Sequence, residues 1–305
     1  NDLWSVSFTD ANNGWAVGNS GTIRRTLDGG ATWTSQTSGV GNSLYGVSFV
    51  DASNGWAVGS GGTIRYTSNG GANWTSQTSN TTNNLNSVSF VNASTGWIVA
   101  SGGVILNTSN GGNTWTVQSS NPAFFLNNVS FVDALNGWIT LANSTSILHT
   151  SNGGTSWAFQ TSNTTNLLNS VSFVDANNGW AVGQSGTILH TTNGGANWTS
   201  QTSNTTANLI GVSAFSANQS WAVGDSMARL YTTNGGSTWT VQNQAASPSY
   251  LIKAVDFITP LEGWAGVSSP LGKGFQIYTN VIMHTLDGGT TWTAQNVGLL
   301  YSYQL

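Results

Sequence analysis

The pair Gly-Trp recurs at Trp15, Trp56, Trp97, Trp138, Trp180 and Trp264, with a Ser-Trp variant at Trp221, at successive spacings of 41, 41, 41, 42, 41 and 43 residues. A second Trp follows in every unit, at Trp33, Trp74, Trp115, Trp157, Trp198, Trp239 and Trp292, so that Trp4 alone of 15 stands outside the two columns. A period of this size over residues 3 to 295 marks a repeat architecture and falls in the range of propeller blades. Each unit holds four short apolar stretches separated by turn residues. In residues 168 to 201, Val171 and Phe173 alternate with Ser170 and Ser172, Trp180 and Val182 flank Ala181, and DANNG, GQSG and TNGG supply the turns.

The expected fold is therefore all-β, a seven-bladed β-propeller of four-stranded antiparallel blades forming one domain over residues 1–305. Blades are expected at about 3–40, 41–81, 82–122, 123–164, 165–205, 206–246 and 247–296, with a C-terminal tail at 297–305. A lone meander is barely stable, whereas seven packed around an axis bury both faces of each. The Trp columns are suited to the gaps between sheets. A buried Trp removes about 150–250 Å² from water, an upper bound of about 4–6 kcal/mol each before conformational entropy.

Composition excludes several functions. Six Lys and Arg against ten Asp and Glu cannot assemble a surface that tracks a phosphate backbone, so no nucleic-acid partner is expected. No apolar run approaches the ~20 residues of a membrane helix, and no membrane insertion is expected. There is no Cys for a disulfide framework. The chain opens at Asn1 without a signal-type apolar segment and is expected to be a processed form. A low-charge surface rich in Ser, Thr and Asn suits an extracellular or cell-surface protein. Ten Asn-x-Ser/Thr sequons, from Asn73 to Asn218, are compatible with it.

The segment before each second Trp reads TLDGGATW, TSNGGANW, TSNGGNTW, TSNGGTSW, TTNGGANW, TTNGGSTW and TLDGGTTW. These segments resemble the Asp-box, or bacterial neuraminidase repeat. Asp28, Asn69, Asn110, Asn152, Asn193, Asn234 and Asp287 take the acidic position, where the side-chain oxygen can accept backbone N–H groups of its own turn and two Gly supply positive φ. Five of the seven are Asn, which keeps the acceptor and drops the charge, so the box is read as structural. With its GWAVGxxGTIxxT core, the whole unit is most similar to propellers of the photosystem II stability and assembly factor type. That resemblance implies seven blades and, for the photosynthetic members, a non-enzymatic assembly chaperone acting through a basic patch. Here the patch is reduced to Arg24, Arg25 and Arg65, with Arg229 alone in blade six.

No enzyme, cofactor or metal is expected. Glu262 is the sole Glu, and Asp10, Asp51, Asp133 and Asp175 share one turn column, whereas catalytic carboxylates are normally singular. Asp225 and Asp256 are singular and keep a carbohydrate-active hydrolase as an alternative. His149, His190 and His284 occupy one column with Arg25, Tyr66, Asn107 and Tyr231, so they cannot converge on a metal.

Function is expected where the repeat breaks. The loop SSNPAFF holds Phe124 and Phe125, AASPSYLIK holds Tyr250 and Lys253, and the blade-seven insertion holds Lys273, Phe275 and Tyr278. Both loop types that carry these residues emerge on the face opposite the boxes, where they form a protein- or glycan-binding site or pack over the channel mouth. The tail, with Leu299, Leu300, Tyr301, Tyr303 and Leu305, resembles the start of an eighth unit and could pair with a neighbour's edge in a homo-oligomer or filament. The leading expectation is a secreted, non-catalytic binding or structural scaffold. An assembly chaperone and a hydrolase are the alternatives.

Overall fold

Extended stretches and turns alternate as the repeat requires in the computed structural model, which describes residues 2–121, 123–242, 251–268 and 281–296. Among the described residues, 28 strands form seven four-stranded antiparallel sheets, each taking its strands in chain order. Blade 1 comprises Leu3–Phe8, Gly14–Gly18, Ile23–Thr26 and Thr34–Gln36. The first strands of successive blades touch, and that of blade 7, Leu251–Phe257, touches that of blade 1 to close the ring. The protein is a seven-bladed β-propeller. No described helix is long and apolar enough to cross a membrane.

The Gly of each Gly-Trp pair is dictated by packing. A Cβ on Gly55 would lie 2.3 Å from the ring of Phe49, the last residue of its blade's first strand, and Gly14 meets Phe8 in the same way. Blade 6 supports this reading. There Ala214 takes the place of the Phe, and the position before Trp221 is free to be Ser220.

The Trp columns are interblade wedges. Trp15 stacks on Phe49 of blade 2 at 3.5 Å, and Phe49 meets Trp74 edge-on at 5.9 Å. The Trp15 indole N–H donates to the Gly70 carbonyl of the blade 2 box at 3.0 Å. Gln36 at the end of blade 1 donates to the same carbonyl at 3.0 Å and accepts the Trp74 indole N–H at 3.2 Å. Ring closure repeats the device. Trp264 and Gln295 donate to Gly29, and Trp33 donates to Gln295. Blade 7 is therefore joined to blade 1 by side chains, with no strand exchanged.

A second series crosses each junction nearer the axis. Ser7 Oγ accepts the N–H of Phe49, and Ser48, Ser89, Ser130, Ser172 and Ser213 serve the next blade alike. At the closing junction Asp256 takes the Ser position, and its Oδ2 accepts the N–H of Phe8 at 2.7 Å.

Candidate functional site

In every blade the first strand carries one β-bulge near its start. Leu3 pairs with Gly18 and Ser5 with Val17, so Trp4 is the extra residue. The equivalent residues are Tyr45, Asn86, Asn127, Asn169, Ile210 and Lys253. A bulged residue leaves the strict in-out alternation of the strand and can be aimed elsewhere. All seven line a central cavity of about 590 Å³. It is an uneven ring of side chains on an even scaffold.

One arc is aromatic and cationic. The Lys253 ammonium lies 5.0 Å from the centre of the Trp4 ring, and Trp4 meets Tyr45 edge-on at 5.7 Å. The Trp4 indole is fixed by donation to Asn19 Oδ1 at 2.7 Å. The opposite arc is amide. Asn86, Asn127 and Asn169 donate their NH2 groups to carbonyls of Leu126, Asn169 and Leu209 in the next blade at 2.7–2.8 Å, which leaves their oxygens as acceptors. Such a rim offers a cation, two aromatic faces and a row of acceptors, a set matched to a polar polymer with apolar and acidic groups.

Of the two singular carboxylates, Asp225 lines this cavity and accepts from Asn208 Nδ2 at 2.9 Å. Asp256 lies deeper in the ring and is not among the cavity-lining residues. Desolvation pushes its pKa up to about 6, only partly opposed by the Phe8 N–H. The histidines cover Trp rings. His149, His190 and His284 stack on Trp138, Trp180 and Trp264 at 4.9, 4.3 and 4.7 Å. Burial lowers the pKa of His149 and His190 and keeps them neutral. Among the described residues, no three His, Asp or Glu gather in a way that could hold a metal. Of the arginines, Arg65 and Arg229 are buried and Arg25 is half-buried. Arg65 donates to the Trp74 carbonyl and Ser76 Oγ, Arg229 lies over Trp292, and Arg25 over Trp15.

The boxes are turn devices. Asp28 Oδ1 accepts the Thr32 N–H at 2.8 Å and Oδ2 the Thr32 hydroxyl at 2.6 Å. These bonds, led by the Thr32 hydroxyl, lower the Asp28 pKa to about 2. Asn110 keeps the first contact, at 3.0 Å, and reverses the second by donating to Thr114 Oγ1 at 2.9 Å. Asn69, Asn152, Asn193, Asn234 and Asp287 hold equivalent turns.

Of the residues expected at the repeat breaks, Phe125 is exposed, whereas Phe124 is half-buried and meets Phe159 edge-on at 5.3 Å. Tyr250, Lys273, Phe275, Tyr278 and the tail residues Leu299, Leu300, Tyr301, Tyr303 and Leu305 lie outside the described residues. Lys253 stood out in the broken repeat AASPSYLIK, but the bulge column as such escaped sequence reasoning because a bulge has no sequence mark in this strand. Its signal was nonetheless present: Trp4 is the one Trp the repeat does not require.

The family model of the photosynthesis system II assembly factor YCF48 matches residues 37–124 and 117–205, more than half of the chain. The chain belongs to the YCF48 family. It is similar to the solved structure "YCF48 bound to D1 peptide", at 21% identity and a TM-score of 0.74 over 88% of this chain and 91% of that one. YCF48 from Cyanidioschyzon merolae is 19% identical, with a TM-score of 0.72 over 88% of this chain and 93% of that chain. A GH74 xyloglucanase from Xanthomonas campestris, 12% identical, reaches 0.78 over 98% of this chain and 55% of that one. At these identities the likenesses show the propeller fold alone. No curated protein sequence matches the chain.

Proposed function

We propose that the protein is a non-catalytic propeller of the assembly-factor type, which holds a segment of a partner polypeptide at the channel mouth. The observation behind this reading is the bulge column. Trp4, Tyr45 and Lys253 adjoin one another on one arc, and none repeats a neighbour's residue. Trp and Tyr bring large contact area with little rotamer entropy to lose, and Lys253 answers an acidic group on the partner. Family membership supports this reading over the self-assembling secreted scaffold expected from surface composition. The D1 peptide bound in a similar structure points to the same ligand class.

The test is selection of binders from a displayed random-peptide library, followed by affinity measurement on variants. Trp4→Ala, Tyr45→Ala and Lys253→Ala should each weaken the selected peptides, Trp4→Ala by about 30-fold, the effect of a ~2 kcal/mol hot spot. Peptides that bind all three variants as well as the parent would reject the site. Glycan hydrolysis abolished by Asp225→Asn would put the hydrolase reading in its place. The low-charge surface supports an extracellular or cell-surface site of action, which protease shaving of intact source cells would check.

A further inference from the structure

Six of the seven blade junctions share one bond, from the box Trp of a blade to the Gln ending the blade before it, at 2.8–3.3 Å. Between blades 3 and 4 that bond is missing. Trp157 Nε1 and Gln118 Oε1 are both buried and both without a partner. Blade 3 is also irregular here, although Gln118 Nε2 keeps its donation to the Gly153 carbonyl of the blade 4 box at 2.8 Å. Its fourth strand, Thr116–Ser120, pairs Ser119 with Ile105 and Val117 with Leu106, so Gln118 sits on a bulge, whereas Gln77 of blade 2 pairs directly with Ile64.

A cavity of about 200 Å³ opens there, lined by Gln118, Trp157, Phe124, Phe159, Leu148 and Ile105 among others. Its size suits one large apolar side chain, since an engineered apolar cavity of ~150 Å³ holds benzene. Exposed apolar residues border it. Phe159, which lines it, and Phe125, next in the chain to the lining Phe124, are each more than half exposed, and Phe159 stands where other blades have Ser, Val or Ala. Two solvent-facing phenylalanines beside a hollow mark an interaction surface better than a gap in the core.

The geometry points to a second polypeptide-binding site here, one that takes an apolar residue of an extended segment together with its backbone amide. An amide supplies what the two orphaned atoms lack. Its carbonyl accepts from Trp157 Nε1, and its N–H donates to Gln118 Oε1. Leaving both buried and unpaired is costly, so a ligand that satisfies them gains affinity that a purely apolar one does not. Both atoms are closed off from solvent in the free ring, so engagement turns the Gln118 side chain on its bulge. The choice of a polypeptide rests on the reading above, while the site itself is distinct from the channel mouth.

The experiment is a titration of the ¹⁵N-labelled full chain with N-acetyl-phenylalaninamide and, separately, toluene, following the indole N–H signals. The amide should shift the Trp157 signal saturably, and toluene should bind about 3- to 10-fold more weakly, the worth of one net hydrogen bond. Phe159→Ser, which restores a residue found in other blades, should weaken the amide at least fivefold with the remaining spectrum unchanged. Trp157→Phe, followed by the remaining signals, should narrow the difference between the two probes without abolishing it, since the amide N–H still meets Gln118 Oε1. An unmoved Trp157 signal, equal affinities in the parent, or full binding by Phe159→Ser would each overturn the site. The Trp4 signal reports the channel mouth separately. Selected peptides that move Trp4 while N-acetyl-phenylalaninamide leaves Trp157 silent would sink this inference alone.

Discussion

Around the box rim, equivalent positions hold equivalent residues and make equivalent bonds in almost every blade. At the channel mouth, seven equivalent positions hold Trp, Tyr, Asn, Asn, Asn, Ile and Lys. The contrast follows from what each position must satisfy. A box Trp or a terminal Gln fills a slot shaped by two blades at once, so a change on one side strands a partner on the other. A bulged residue has no ladder partner, and its side chain faces the lumen. Identity is demanded where a side chain fills a slot between blades, and variation is tolerated at the bulge, although Asn86, Asn127 and Asn169 there still reach a carbonyl of the next blade.

The largest effects should come from testing that demand at the rim. Trp15→Ala removes a ring stacked on Phe49 and bonded to Gly70, and should cost about 3–5 kcal/mol in denaturant unfolding. Trp180 is the control. It faces Ala214 in place of a Phe, and its indole N–H has no partner. Trp180→Ala should therefore cost less by about 1–3 kcal/mol, the combined worth of an aromatic pair and a hydrogen bond. Equal losses would show that volume alone sets the wedge energy.

Gly55→Ala should be the next most damaging, at about 1–3 kcal/mol, because its Cβ would collide with Phe49. The same change with Phe49→Ala should lose less than the sum of the two single changes, as the natural pair Ala214 and Ser220 implies. Strict additivity would refute the account of the Gly-Trp signature.

Asp256 provides a smaller, pH-dependent test at the closing junction. Its folded pKa of about 6 lies above the ~3.9 of a free carboxyl, so the folded state binds the extra proton between those values. Stability from this group is therefore present at acid pH, falls as pH rises from about 4 to 6, and stays reduced above that. Asp256→Ser restores the hydroxyl that serves the other six junctions. It should flatten that part of the pH profile and raise stability at pH 7.5 by on the order of 1 kcal/mol. A steeper profile in the variant would contradict the assignment. The lowered pKa values of Asp28 and Asp287 act in the opposite sense, with stability lost as pH falls below about 4.

The smallest stability effect belongs to the mouth. Lys253→Ala should change unfolding free energy by less than ~0.5 kcal/mol, as for a surface site, while weakening peptides selected by the parent. A large stability loss would mean that Lys253 is part of the ring's structure and would dissolve the contrast between the two regions.

The repeat made the fold legible, because every structural role was written seven times. Two Trp columns, four turn-separated apolar stretches and the box announced blades, turns and wedges together. The candidate sites were far less legible. Phe124 and Phe125 stood out as breaks, yet Phe159, which completes the blade 3–4 hollow, lies inside an ordinary AFQ segment. Asp225 and Asp256 both stood out as singular carboxylates, but only Asp225 lines the cavity.

The chain by itself determined the blade number, the strand order and the side chains that wedge the sheets, since local turn chemistry and period-two alternation are short-range properties. Only the assembled ring decided which residues face one another across blades: that Gly55 must be bare beneath Phe49, that Trp4 and Lys253 meet although 249 positions apart, and that Gln118 misses Trp157. The physical reason is that a one-residue bulge re-aims a side chain at almost no cost to the ladder and leaves no trace in composition or period.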